Sequence, residues 1–313
     1  MEFGRVKEEE LNKIDFSLQG EPAANKLVLK KSKNKPLVYF GCAKWGRKEW
    51  IGKIYPKGTK DAQFLDQYVN HYNSIELNAT HYKIYSPTEI AKWAARAAGK
   101  DFKFCPKITN SISHYSGFNN VDFLTTSFLE GVMAFGDNLG PIFLQVSEKY
   151  SPKQRDKLYQ YLQTLPTDLQ FFLEVRHPDW FADKLVRAEL FDTLRSLKIG
   201  AVITDTAGRR DCAHMELTIP KTFIRYVGNS LHPTDYTRTD AWIERMKYWL
   251  ENGLKELYFF MHMHDEAFSP ELTVYMIDKL NERCGLELIK PQFVQESLFS
   301  KFSTAKKSTD KKN

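Results

Sequence analysis

The sequence predicts an α/β fold, a single (β/α)8 barrel, and three observations predict it. Eight short apolar runs rich in β-branched and aromatic residues recur along the chain, helical patterns separate most of them, and no Gly-, Pro- or Ser-rich linker interrupts the series. Strands alternating with helices pair in parallel, and eight such units closing on themselves make a barrel of typical size. The competing architecture is an open doubly wound sheet. It lacks support, because "GCAKWG" after the first strand is not a GxGxxG phosphate loop.

The elements follow in order. "LVYFGCA" (37–43) is the first strand, and helical periodicity covers 61–72. "SIELNAT" (74–80) precedes a helix over 87–98, with Ser86 as N-cap and Pro87 at the first helical position. "FKFCPKI" (102–108) leads to 122–136, and "PIFLQV" (141–146) to 152–165, where Ser151 and Pro152 repeat the cap. "QFFLEVR" (170–176) leads to 183–197. "GAVITDT" (200–206) and "TFIRYVG" (222–228) come next, then a helix over 239–252. "ELYFFMHM" (256–263) is the last strand, and Ser269 and Pro270 open a final helix over 270–283. The barrel domain is therefore placed at 37–290. A polar, partly disordered N-terminal extension (1–36) precedes it, and a disordered lysine-rich tail (291–313) follows.

Composition restricts the class. A chain of 313 residues with 42% hydrophobic and 14% aromatic content is globular, and no apolar stretch approaches the roughly 20 residues that span a bilayer. The opening "MEFGRVKEEELNKIDF" lacks the apolar centre of a secretory signal, so a cytoplasmic protein is expected. Cys42, Cys105, Cys212 and Cys284 show no CxxC pairing, which argues against a disulfide framework or structural zinc and leaves them as small buried hydrophobes. The net charge of +6 gathers in the lysine-rich stretches 26–35 and 301–313, which read as solubilising ends before they read as a nucleic-acid arm.

Inside a barrel, strand side chains alternate between the lumen and the helix layer. Glu76, Asn78 and Thr80 share one parity, as do Glu174 and Arg176. Lys107, Gln145, Asp205 and Arg225 lie near the ends of their strands, with His262 and His264 on the last. Barrel sites form at the carboxyl ends of strands, so these residues are expected to converge on one mouth. Burying so many charges for stability alone is a poor exchange, since replacing a buried pair with apolar side chains is often neutral or stabilising.

Three chemistries fit. Glu76, Glu174 and Asp205 offer carboxylate pairs for glycoside hydrolysis. Glu174, His177, Asp205, His214, His262 and His264 offer ligands for a divalent metal, although no HExxH-like motif supports one. Lys107, Arg176 and Arg225 suit an anionic group. His81 and His114 follow strands two and three and could reach the mouth, whereas His71 at a helix end and His232 in a polar loop read as surface residues. Trp45, Trp50 and Tyr55 crowd the first loop, either to stack on a ligand or to plug the barrel top.

Taken together, the motifs resemble the domain-of-unknown-function 72 family, the YecE-like proteins, over about 38–285. The resemblance rests on Gly41 and Trp45; Trp50, Gly52, Tyr55 and Pro56; Glu76, Asn78, Thr80 and Tyr82 in "IELNATHY"; Lys107; Gln145; Glu174, Arg176, His177, Pro178 and Trp180 in "EVRHPDW"; Asp205; and Arg225 with Gly228. It implies a TIM barrel with a polar site built from those positions and no established reaction. Two places depart from the commoner pattern: "GCAKWGRKEW", where a Ser- and Gly-rich turn is usual, and "FFMHMHDE", where an asparagine-bearing ending is commoner.

The expectation is a hydrolase or lyase acting on a small anionic or sugar-like substrate. Glu174 is its general acid or base with a carboxyl pKa raised by burial, Glu76 or Asp205 the partner carboxylate, and His177 the orienting or shuttling group. Asn78, Tyr82, Lys107, Gln145, Arg176, Arg225, Trp45, His262 and His264 would bind substrate. No cofactor fingerprint is evident, no metal ligand is assigned and no membrane partner is expected. A nucleic-acid-binding or metal-dependent nuclease-like barrel is the alternative, and a non-catalytic small-anion binder the second. Oligomeric state is not legible in the sequence.

Overall fold

The structure is a computed structural model that describes residues 3–31 and 34–295. Its eight parallel strands are β1 (Leu37–Cys42), β2 (Ser74–Leu77), β3 (Lys103–Pro106), β4 (Ile142–Gln145), β5 (Phe171–Glu174), β6 (Gly200–Asp205), β7 (Lys221–Gly228) and β8 (Glu256–Met263). They run in the order β3-β2-β1-β8-β7-β6-β5-β4. The ring closes between β3 and β4 through parallel bridges Phe104↔Leu139 and Lys107↔Phe143, with Ile108 N–H donating to Phe143 O at 2.9 Å. This is the expected (β/α)8 barrel. At Gly41 a Cβ would stand 2.1 Å from Ser74 O, so only glycine lets β1 lie this close to β2.

The helices are α1 (Phe64–Tyr68), α2 (Ala79–Tyr82), α3 (Pro87–Ala94), α4 (Asp122–Met133), α5 (Arg155–Thr164), α6 (Asp179–Ala182), α7 (Lys184–Ser196), α8 (Pro233–Glu251) and α9 (Ser269–Cys284). Of these, α8 starts well before the expected position 239. Pro233 stands in its first turn and His232 Nδ1 accepts the Thr234 N–H, while the buried pair Asp235 and Arg238 hides the start from any reading of apolar periodicity. Among the described residues no helix is long and apolar enough to cross a membrane.

Two cores form because the pleat sends alternate side chains to opposite faces. The larger lies between strands and helices. Inside the ring, Tyr39, Cys105, Phe143, Phe172, Val202, Phe223, Tyr258 and Phe260 fill the lumen. Trp50 and Tyr55 are fully buried against Tyr68, Tyr72 and Phe64, so they belong to the packed core of the first loop.

The described parts of the flanking segments, up to residue 31 at one end and 291–295 at the other, make specific contacts with the barrel. Between β6 and β7 the chain has only a short 3-10 turn, Arg210–Cys212, in place of a barrel helix. Residues 16–29 pack there instead. Asn25, wholly buried, donates to Met215 O at 2.9 Å and accepts the Leu217 N–H at 2.7 Å. Glu21 pairs with Arg245 and accepts the Trp249 indole N–H at 3.0 Å, and the Phe16 ring lies over the Arg238 guanidinium. At the other end, Val294 N–H donates to Lys53 O, and Gln292 N–H donates to His71 Nδ1. This return of the chain buries His71, expected at the surface, and burial lowers its pKa. The rest of the expected tail, 296–313, lies outside the described residues.

Candidate active site

One step further along each strand, toward the carboxyl ends, the inward face turns polar. The positions two residues after Ser74, Cys105, Phe143, Phe172, Val202, Phe223 and Phe260 are Glu76, Lys107, Gln145, Glu174, Thr204, Arg225 and His262. All seven are buried, from 0% exposure at Glu76 to 7% at Gln145. The strand register therefore lays a polar layer directly on an apolar floor.

Arg225 lies at the centre of this layer. Its Nε and Nη2 donate to both Glu76 oxygens at 2.8 and 2.7 Å, and its Nη1 donates to Glu174 Oε2 at 2.6 Å. Glu76 also meets His262 Nε2 at 2.9 Å and accepts from Asn78 Nδ2 at 2.7 Å. Glu174 Oε1 accepts from Arg176 Nε at 2.7 Å and from Thr204 Oγ1 at 2.9 Å. The Phe143 ring lies beneath, 5.7 Å from the Arg225 guanidinium and 5.9 Å from Lys107 Nζ. Lys107 donates to Gln145 Oε1 at 2.8 Å, and among the described residues no carboxylate is in ion-pair range of it.

These contacts fix the charges. Burial disfavours an ionised Glu174, but Arg176, then Arg225 and Lys107, outweigh it and hold the carboxyl down to about 2. Glu76 is likewise held well below the usual carboxylate range, because Arg225 and His262 override the cost of burial. The expectation of a raised Glu174 carboxyl is thus corrected: three donors, with the Lys107 charge nearby, stabilise its anion. The reverse holds at Lys107. Burial first, and Arg225 beside it, bring its pKa down to about 7, against the opposing pull of Glu174. His81, whose Nδ1 lies 2.8 Å from Ile108 O, is lowered to about 4 by burial and by Lys107. Its ring and that of His114 meet edge to face at 5.1 Å.

Asp205, His177 and His214 lie outside the polar layer. Asp205 faces outward beneath α8, with Oδ1 2.9 Å from Arg238 Nη2 and Oδ2 accepting the Trp242 indole N–H at 2.6 Å. Its neighbour Thr204 takes the lumenal position, so parity along β6 explains the correction. His177 turns back on its own chain, its Nδ1 accepting the Asp179 N–H at 3.2 Å at the start of α6. His264, half-buried, follows the end of β8 with its N–H donating to Gly228 O. His214, a metal candidate, bonds Val202 O through Nε2. Among the described residues no three of His, Cys, Asp and Glu are grouped to hold a metal ion.

The family described as "Protein of unknown function DUF72" matches residues 39–295, most of the chain. The chain belongs to the DUF72 family. It is 26% identical over 255 residues to UPF0759 protein YecE of Escherichia coli (strain K12), covering 76% of this chain and 90% of that protein. A crystal structure of a DUF72 family protein from Enterococcus faecalis V583 superposes with a TM-score of 0.63 at 14% identity, covering 83% of this chain and all of that one. A DUF72 family protein from Thermotoga maritima MSB8 gives 0.59 at 20% identity, over 80% of this chain and 100% of that one. At these identities the two structures speak for the fold alone.

Around the polar layer of this DUF72 barrel, Trp45, Asn78 and Tyr82 line a cavity of about 370 Å³ between the loops after β1 and β2. Trp45 packs edge-on against Trp93, while Tyr82 stands 75% exposed. Sequence reasoning missed two contributors. Thr204 was readable from the alternation in "VITDT", which sets it against Asp205. Phe3 carried no signal at all, yet its ring lies 4.1 Å from the Arg176 guanidinium and is buried at the rim.

Proposed function

We propose that this barrel is a lyase-type enzyme in which Lys107 is the reactive group, acting on a small anionic carbonyl compound. The observation that carries the reading is the isolation of that amine from carboxylates. Arg176, Arg225 and Arg238, the other buried cations among the described residues, are each tied to at least one carboxylate, whereas Lys107 Nζ donates only to the Gln145 amide oxygen. A lysine desolvated and set beside another cation loses its proton near neutral pH and becomes a nucleophile or base. Its lowered pKa of about 7 agrees.

The neutral amine attacks a carbonyl carbon, the C=O pair moves to oxygen, the nitrogen passes one proton to that oxygen, and a second proton from solvent lets water leave an iminium at Lys107. Arg176, 6% exposed at the rim, suits the substrate's negative group. Glycoside hydrolysis is the weaker reading, because it needs a protonated carboxyl and Glu76 and Glu174 share one guanidinium that keeps both ionised. Incubation with glyoxylate and cyanoborohydride, followed by peptide mapping, tests the reading. Lys107 should be modified ahead of the exposed lysines, with half-maximal rate near pH 7. Modification spread over surface lysines with Lys107 intact would overturn it.

A further inference from the structure

We infer that residues Phe3–Val6 form a displaceable cover over the β5–β6 side of the barrel mouth, which must lift before a bulky substrate reaches Lys107. Phe3 is only 7% exposed, although Arg5 beside it and Lys7–Glu10 behind it are exposed. Its ring lies on the Arg176 guanidinium at 4.1 Å and within 5.4 Å of that of Arg209. Arg176 is the same residue that donates to Glu174 inside the polar layer, so the ring is one side chain away from the network around Lys107.

The backbone docks on the loop that leaves β6. Thr206 Oγ1 lies 3.1 Å from Phe3 O and 3.2 Å from Gly4 O, and Gly208 N–H donates to Gly4 O at 2.8 Å. Gly4 has φ +66°, and a Cβ there would stand 2.4 Å from Thr206 Cγ2. The fit therefore requires glycine.

The hold is uneven along the segment. Leu11, at 2% exposure, and the strap at 16–29 pin the chain to the barrel, while Phe3–Val6, set off by the exposed Lys7–Glu10 run, docks on Arg176 and the 206–208 loop through the Phe3 ring, the Phe3 and Gly4 carbonyls and the Val6 side chain beside Gly208. Such a piece opens far more often than the barrel unfolds. Because the cover lies at the rim beside Arg176, opening it adds space where the anionic part of a substrate would enter. The inference rests on the reading of Lys107 for its consequence, and on the docking contacts for the motion.

Two measurements separate the parts. Hydrogen exchange reads the motion directly: the Gly208 amide, whose acceptor is Gly4 O, should exchange at least about 100-fold faster than the β7 amides of Ile224 and Tyr226. Exchange as slow as in β7 would refute the lifting. Reductive modification reads the consequence. Gly4→Val, which undocks the segment but leaves Leu11 and the strap in place, should raise the rate at Lys107 about tenfold with pyridoxal 5′-phosphate, a bulky anionic aldehyde, and far less with glyoxylate. Equal rates in both proteins, with Lys107 modified in each, would overturn the cover while leaving the lysine chemistry intact. If Lys107 resists both reagents in both proteins, the lysine reading falls, and exchange at Gly208 then decides the lifting alone.

Discussion

Arg225 grips both oxygens of the Glu76 carboxylate, at 2.8 and 2.7 Å, although β7 and β2 are not neighbours in the ring. Its third nitrogen holds Glu174 on β5, so one guanidinium ties three strands together. Removing it strands two buried carboxylates, and breaking such a network from one side costs about 3–5 kcal/mol. Arg225→Met should lower the unfolding free energy by that amount, read as a lower midpoint in urea. Arg225→Lys should recover only a minor part, because an ammonium cannot make the two-pronged contact. Full rescue by lysine would mean that net charge, not geometry, holds the layer.

The same network sets an acid limit. Glu174 has a folded pKa of about 2 against an ordinary 4.5, and Glu76 is shifted in the same direction. The unfolded chain therefore binds more protons between those values. The stability that Glu174 contributes is complete above about 4.5 and is lost as pH falls toward 2. Glu174→Gln should flatten the stability curve across that window, and chemical denaturation at several pH values checks it. Glu174→Gln is also expected to weaken the fold at neutral pH, since Arg176 and Arg225 each lose an anionic partner.

Lys107 gives the opposite signature. Folded Lys107 releases its proton near 7 and the unfolded chain near 10.5, so the unfolded state binds more protons between them and stability rises with pH over that range. The gain is on the order of 3 kcal/mol. Wild type should gain on Lys107→Met as pH increases from 7 to 10. A gap between the two proteins that stays constant over that range would show an ordinary, solvated ammonium.

The barrel and most of its polar layer were legible because a strand repeats every two residues. Glu76, Lys107, Gln145, Glu174, Arg225 and His262 announced themselves as polar groups at the ends of apolar runs. The same signal failed at Asp205, where both faces of "ITDT" are polar at the strand's end and only the pairing register says which is lumenal. It failed for His177 because a turn after the strand resets the alternation. The strap at 16–29 was illegible for a different reason. It has no periodicity of its own, and besides the bond that Asn25 donates to Glu21, these two residues gain their partners from residues about 190 to 230 positions away.

Asp205 provides a control for the site. It lies outside the lumen, where Arg238, Arg210 and the Trp242 indole override burial and lower its pKa. Asp205→Asn should destabilise the fold by about 1–3 kcal/mol through loss of those charge-assisted bonds. It should leave the rate and pH midpoint of Lys107 modification unchanged. A shift in that midpoint would place Asp205 in electrostatic contact with the mouth, which its outward orientation argues against.

Asn25 tests whether the strap replaces a barrel helix in energetic terms as well as in position. Its side chain is fully buried and satisfies one carbonyl and one amide of the loop between β6 and β7, Met215 O and Leu217 N–H. Asn25→Ala would leave both backbone groups without a partner inside the protein, at about 1–3 kcal/mol for each buried group left unsatisfied. Asn25→Asp keeps the acceptor for Leu217 but sets a carboxylate against the Met215 carbonyl, so it should not rescue. If Asn25→Ala lowers stability by several kcal/mol with a single transition, the strap belongs to the cooperative unit. If a small early transition appears and the main one is unchanged, the strap is an independent addition to a barrel that stands without it.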